Sequence, residues 1–263
     1  MSKWPNYLAR GFGPQHVPEL IRMAIDPALN EALSDSKEVW APVHAWRTLG
    51  QLHAAEAAAP LATLFQRIDD NDDDFLTTDL PETFGILGPA AIPVLAEYMA
   101  SSRHGLFARC AAASSLREIG ERHPEARQAV IEALAAQLGR ADGGAPELNG
   151  FVVADLLKLE AVEAAPAMQA AFDANRVETG IAGDWEDVQI ALGLKTEREH
   201  PRVPSAALQE ITEVAELLDQ LEALGDFDEA APTLIEKQMP FRKPYPKPEP
   251  APSGKRRHHH KRK

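Results

Sequence analysis

The chain has 263 residues, of which 44% are hydrophobic and 6% aromatic, with a formal net charge of −13. That length allows one large or two ordinary domains. Abundant alanine with few aromatics suits close-packed helices better than a sheet. A single cysteine excludes an intramolecular disulfide framework and any cysteine-based zinc cluster.

The charge is divided unevenly. Residues 241–263 hold nine Lys/Arg and one Glu, which leaves residues 1–240 with eighteen Lys/Arg against thirty-nine Asp/Glu. A body that acidic repels phosphate backbones, so only the tail is suited to nucleic acid. The first residues, MSKWPNYLAR, lack the apolar core of a signal peptide, and no apolar run is long enough to span a bilayer. A cytoplasmic protein is expected.

Taken in order, residues 1–13 read as an irregular arm with Trp4 and Pro5. Leu20, Ile21, Ala24 and Ile25 predict a helix from Val17 to about Ala28. Asp35 or Ser36 is placed to cap the next one. Residues 39–68 then read as two amphipathic helices around a tight corner. Val39, Val43, Trp46 and Leu49 share one face of the first. Gly50 is expected to end it as a left-handed cap, and Pro60 to open the second, whose stripe is Leu61, Leu64, Phe65 and Ile68.

The pattern recurs three times. After the acidic run 69–74, Thr78 or Asp79 is expected to cap a helix that turns at Leu87-Gly88, with Pro93 opening its partner through Leu95 and Met99. A third copy runs from Leu106 to Ile119, turns at Gly120, and continues from His123-Pro124 through Val130, Ile131, Leu134 and Leu138. Residues 139–146 (GRADGGAP) form a loop by composition. The fourth copy spans 148–159, turns at Glu160 and resumes at Pro166 toward Phe172. Two helices this short bury their apolar faces only when neighbouring copies stack on them.

The segments LGQLHAAEAAAPLATL, LGPAAIPVLAEY and LEAVEAAPAMQAAF resemble HEAT repeats, of the short kind associated with phycobilin lyases. The resemblance covers about residues 38–175. It implies an all-α fold, an α-solenoid of HEAT-like or armadillo type, and is nearly silent on function. Residues 1–194 are assigned to this repeat domain. Within it, residues 180–194 are expected to form one closing helix, capped by Asp184 and ended by Gly193. Residues 195–207 are read as a linker. Residues 208–239 are read as a helical hairpin whose LEALGDFDEAAPTLIEK resembles a tetratricopeptide-type corner. The proline-rich, basic stretch 240–263 is expected to be a disordered tail.

Sites are sparse. An EF-hand begun at Asp70 would need glycine sixth and glutamate twelfth, where Phe75 and Pro81 stand, so 69–74 reads as a solvated inter-repeat loop. Cys110, on the face of Leu106, Ala113 and Leu116, reads as a small core residue. No phosphate loop, G-x-S-x-G or HExxH motif occurs, so no catalytic, cofactor or metal residue is assigned and a non-enzymatic protein is expected. Trp40 and Arg47 lie near one helix face, either exposed as a binding patch or packed on the N-terminal helix. Second helices lining a concave acidic wall would attract a basic protein partner through Glu97 and Glu132, with Glu38, Glu56, Glu118 and Glu163 adding to the field. Two alternatives stand beside that scaffold reading. One is weak nucleic-acid contact through Lys255, Arg256, Arg257, Lys261, Arg262 and Lys263. The other, implied by the lyase resemblance, is tetrapyrrole handling.

Overall fold

The computed structural model describes residues 4–33, 35–140, 145–202 and Val214, and among them the fold is all-α, with no strand. The hairpin and tail expected at 208–263 lie outside the described residues, Val214 apart. The helices in chain order are α1 (Val17–Ala24), α2 (Pro27–Asn30), α3 (Trp40–Gln51), α4 (Ala58–Ala62), α5 (Gln66–Asn71), α6 (Leu76–Leu87) and α7 (Ile92–Ala100). They continue with α8 (Leu106–Arg122), α9 (Arg127–Leu138), α10 (Pro146–Lys158), α11 (Ala165–Asp173), α12 (Thr179–Ala182) and α13 (Trp185–Ala191).

Packing follows two series. In one, α1 meets α3, α3 meets α6, α6 meets α8, α8 meets α10, and α10 meets α12. In the other, α4 meets α7, α7 meets α9, α9 meets α11, and α11 meets α13. Buried apolar side chains from Val17 to Val188 form one continuous cluster between the series. The acid–base pairs Arg47–Asp79, Glu82–Arg122 and Arg117–Asp155 cross successive contacts of the first series.

Two of the four corners, at Gly88 and Glu160, fall where the sequence places them, and those expected at Gly50 and Gly120 do not. Gly50 lies inside α3, and a Cβ there would sit 3.1 Å from the Thr83 carbonyl oxygen of α6. The equivalent residues are Gly85 in α6 and Gly120 in α8, each 35 residues on. A Cβ on Gly85 would meet the Cβ of Glu118 at 2.7 Å, and one on Gly120 would meet Leu159 at 3.1 Å. These glycines permit close helix approach. Positive φ falls on His53 (φ 50) in place of Gly50, and on the expected corner residues Gly88 (φ 100) and Glu160 (φ 52). A 3₁₀ turn then leads into each second helix, at Ala55–Ala57, Pro89–Ala91, Pro124–Ala126 and Val162–Ala164, and each turn ends on a buried alanine. Pro60 therefore lies within α4 rather than opening it.

Helix starts also differ. The helix expected to run to Ala28 stops at Ala24, because Pro27 cannot continue it and the Asp26 carboxylate accepts from Ala28 N and Leu29 N to start α2. Neither Asp35 nor Ser36 caps α3: its N-cap is Val39, with Trp40 N and Ala41 N already donating to the Lys37 and Glu38 carbonyls. Neither Thr78 nor Asp79 caps α6, which begins at Leu76 and buries Asp79. The single closing helix is split into α12 and α13 by Gly183 (φ 83), although Asp184 does cap α13 and Gly193 follows it at φ 72.

Candidate binding surface

The first series brings Trp40, His44, Trp46 and Arg47 onto α3. Trp46 turns inward, only 2% exposed, and its indole Nε1 donates to Asp79 Oδ2 at 2.6 Å. Arg47 Nε donates to both carboxylate oxygens of Asp79, at 3.2 and 3.1 Å, and its Nη2 donates to Oδ1 as well. The guanidinium lies 4.8 Å from the Trp4 ring centre. Arg47, expected as a partner-binding residue, is thus already engaged by a buried carboxylate, because an unpaired Asp79 between α3 and α6 would be costly.

Trp40 behaves otherwise. It is 48% exposed and meets Phe75, itself 42% exposed, edge-on at 6.4 Å and 83°. The two rings border an open groove of about 200 Å³ floored by Val43 and Trp46 and flanked by the Arg67–Asp73 ion pair. Next to it the acidic run divides its labour. Asp69 accepts from Phe107 N (3.1 Å) and Ala108 N (2.8 Å), so it supplies the missing acceptor at the start of α8. Asp73 answers Arg67, and Asp72 takes a left-handed turn at φ 52. Asp70, Asp72 and Asp74 are exposed and have no ion-pair partner among the described residues. The run expected to be a solvated loop is helix at Asp69, Asp70 and Asn71, which end α5, and loop only from Asp72 on, with Asp70, Asp72 and Asp74 as its exposed acids.

Glu97 and Glu132 are exposed, on α7 and α9 of the second series rather than beside Trp40. Glu132 accepts from the Gln128 amide, while Glu97 borders a shallow groove with Arg103 and His104. Glu118 lies on α8, not on a second helix, and is paired with Arg117 and Arg122. Glu163 is paired with Arg127. Both subtract from the acidic wall expected from sequence. The polyanion-binding candidates Lys255, Arg256, Arg257, Lys261, Arg262 and Lys263 lie outside the described residues.

Cys110 is buried, and burial pushes its thiol up to about 12, so at neutral pH it is a core group and not a nucleophile. Residues 195–202, expected as linker, lie on α13 through ion pairs of Lys195, Arg198 and Arg202 with Glu186, Asp184 and Asp187. Ligand atoms of Glu186, Glu199 and His200 come within 4.8 Å of one another, but the Lys195 ammonium binds both glutamates and supplies the positive charge a cation would bring. Among the described residues, no single helix is long and apolar enough to cross a membrane.

Phe75 at the groove and Asp79 buried beneath α3 organise this region, and sequence reasoning gave neither that role. Phe75 follows five aspartates within six residues and reads as loop. The signal for Asp79 was an acid in the segment LTTDLPETF, 32 residues after Arg47. No protein-family model matches the chain, and it finds no match among curated proteins or solved structures.

Proposed function

We propose that the chain is a non-enzymatic protein-binding scaffold, built as a short HEAT-like solenoid, whose principal contact is the Trp40–Phe75 groove. The solenoid reading is supported by the two series of helix contacts and by Gly50, Gly85 and Gly120 recurring every 35 residues. The single observation that carries the binding role is two half-exposed aromatic rings set edge-on, one of which, Phe75, directly follows the exposed carboxylates Asp72 and Asp74 in the chain. Large aromatics that fill a neighbour's pocket dominate binding energy, and a rim of one charge sets which partner approaches. The partner that fits is a basic protein segment presenting an apolar side chain between lysines or arginines. Glu97 and Glu132, on the second series, extend the same sign of charge to another face.

The test is a library of short peptides screened against the full chain. Enrichment of sequences pairing an apolar anchor with Lys/Arg is expected. Trp40→Ala should weaken the best of them at least tenfold, about 1.4 kcal/mol, and raised salt should weaken them further. Hits that bind Trp40→Ala as tightly as the parent chain, or hits without basic residues, would set the reading aside.

A further inference from the structure

A second cleft, of about 430 Å³, lies between the N-terminal arm and the helices α1 and α3. Its apolar lining comes from Phe12, Leu20 and Met23, and its polar lining from Tyr7, Arg10 and His44. Phe12 and Met23 are 38% and 40% exposed, so an apolar lining is open to solvent. The arm that forms one wall is fastened to α3. Tyr7 N donates to Gln51 Oε1 at 2.9 Å, Gln51 Nε2 donates to the Pro5 carbonyl at 2.9 Å, and the Tyr7 hydroxyl meets His44 Nδ1 at 2.7 Å.

The polar groups in this cleft are of one kind. The Tyr7 hydroxyl lies 2.7 Å from His44 Nδ1, and burial raises the pKa of the phenol. In the tautomer where the phenol donates to Nδ1, the imidazole offers Nε2–H as a donor. Thr48 already donates its hydroxyl to the His44 carbonyl at 2.6 Å. Arg10 is exposed and has no ion-pair partner among the described residues. Among the described residues no Asp or Glu lines the cleft, although the chain carries a net charge of −13. Asp79, whose charge reaches Tyr7, is answered by Arg47 and Trp46.

We propose that this cleft binds a small amphipathic monocarboxylate, its hydrocarbon lying on Phe12, Leu20 and Met23 and its carboxylate meeting the Arg10 guanidinium and His44 Nε2–H. Concave, mostly apolar sites with a few convergent polar groups are the usual form of small-molecule sites, and the volume falls in their range. A guanidinium matches a carboxylate through two parallel hydrogen bonds, and one such cation answers one negative charge. The site is independent of the Trp40–Phe75 groove.

Calorimetric titration of the full chain with decanoate, decylamine and decanol tests it. Decanoate should bind at least tenfold more tightly than either of the others. Arg10→Gln, an exposed change, should bring decanoate to the level of decanol, Met23→Trp should block it, and Trp40→Ala should leave it unaltered. Equal binding of all three amphiphiles, no binding of decanoate, or unchanged decanoate affinity in Arg10→Gln would each overturn the proposal.

Discussion

At the N-terminal end, the arm lies on α3 through amide and phenol hydrogen bonds to Gln51 and His44, with Arg47 of the same helix closed onto buried Asp79. At the other end, residues 195–202 lie on α13 almost wholly through charge. Arg198 Nη1 reaches Asp184 at 2.9 Å and Asp187 at 2.7 Å, Arg202 reaches Asp187 at 2.8 Å, and His200 N donates to Glu186 at 3.1 Å. Each segment fastens onto one helix, the arm onto α3 and residues 195–202 onto α13. One does so with directional neutral bonds over a buried ion pair, the other with partly exposed ion pairs. The two should therefore differ in their response to mutation, acid and salt.

The largest difference is expected from removing one member of each charge system. Asp79→Ala leaves the Arg47 guanidinium and the Trp46 indole without their shared acceptor in a site where Asp79 is 6% exposed. Loss of one partner of a buried pair costs about 3 kcal/mol, which denaturant unfolding would show as a lower midpoint with unchanged slope. Arg198→Gln, at the exposed end, should leave the global midpoint where it is. Equal effects of the two substitutions would erase the distinction between the ends.

Acid should open the two ends in sequence. Burial, then the charges of Arg47 and Arg10, lowers the pKa of His44. Below the unfolded value of about 6.5, the unfolded chain binds more protons than the folded one, so stability falls as pH drops through that point. The opposite end holds until later. Lys195 brings Glu186 down to about 2, and Arg198 and Arg202 lower Asp184 and Asp187. These carboxylates contribute stability that is present above their unfolded values and lost only as pH falls toward the folded ones. Between pH 7 and 5, hydrogen-exchange protection should decline at residues 7–12 and persist at 195–202. Simultaneous loss at both ends would show that His44 does not control the arm.

The same contrast explains what could be read from the sequence. Helix faces depend on neighbours three and four residues away, so Val43, Trp46 and Leu49 on α3 and Leu134 and Leu138 on α9 were legible as core. Gly50 was visible as a marker of the corner, but its reason is the Thr83 backbone of the next helix, which no local pattern encodes. Asp79 read as a cap because caps and buried acids use the same residue type, and only its pairing with Arg47, 32 residues away, distinguishes them. The charged segment 195–202 read as linker because its partners on α13 are fixed by folding, not by spacing.

The smallest effects are local, and each should fall on one end and spare the other. In 1 M NaCl the screening length is about 3 Å, close to the span of the Arg198 and Arg202 pairs, so exchange at residues 198–202 should quicken. The arm should not respond, because the bonds from Tyr7 N to Gln51 Oε1 and from Gln51 Nε2 to the Pro5 carbonyl join uncharged groups. Gln51→Ala inverts the pattern. It removes the acceptor for Tyr7 N and the donor to Pro5, each hydrogen bond contributing about 1 kcal/mol, and should expose residues 5–10 to exchange at every salt concentration while leaving 195–202 as it was. Salt acting on the arm, or Gln51→Ala loosening the far end, would mean that the two ends are coupled through the intervening helices rather than closed independently.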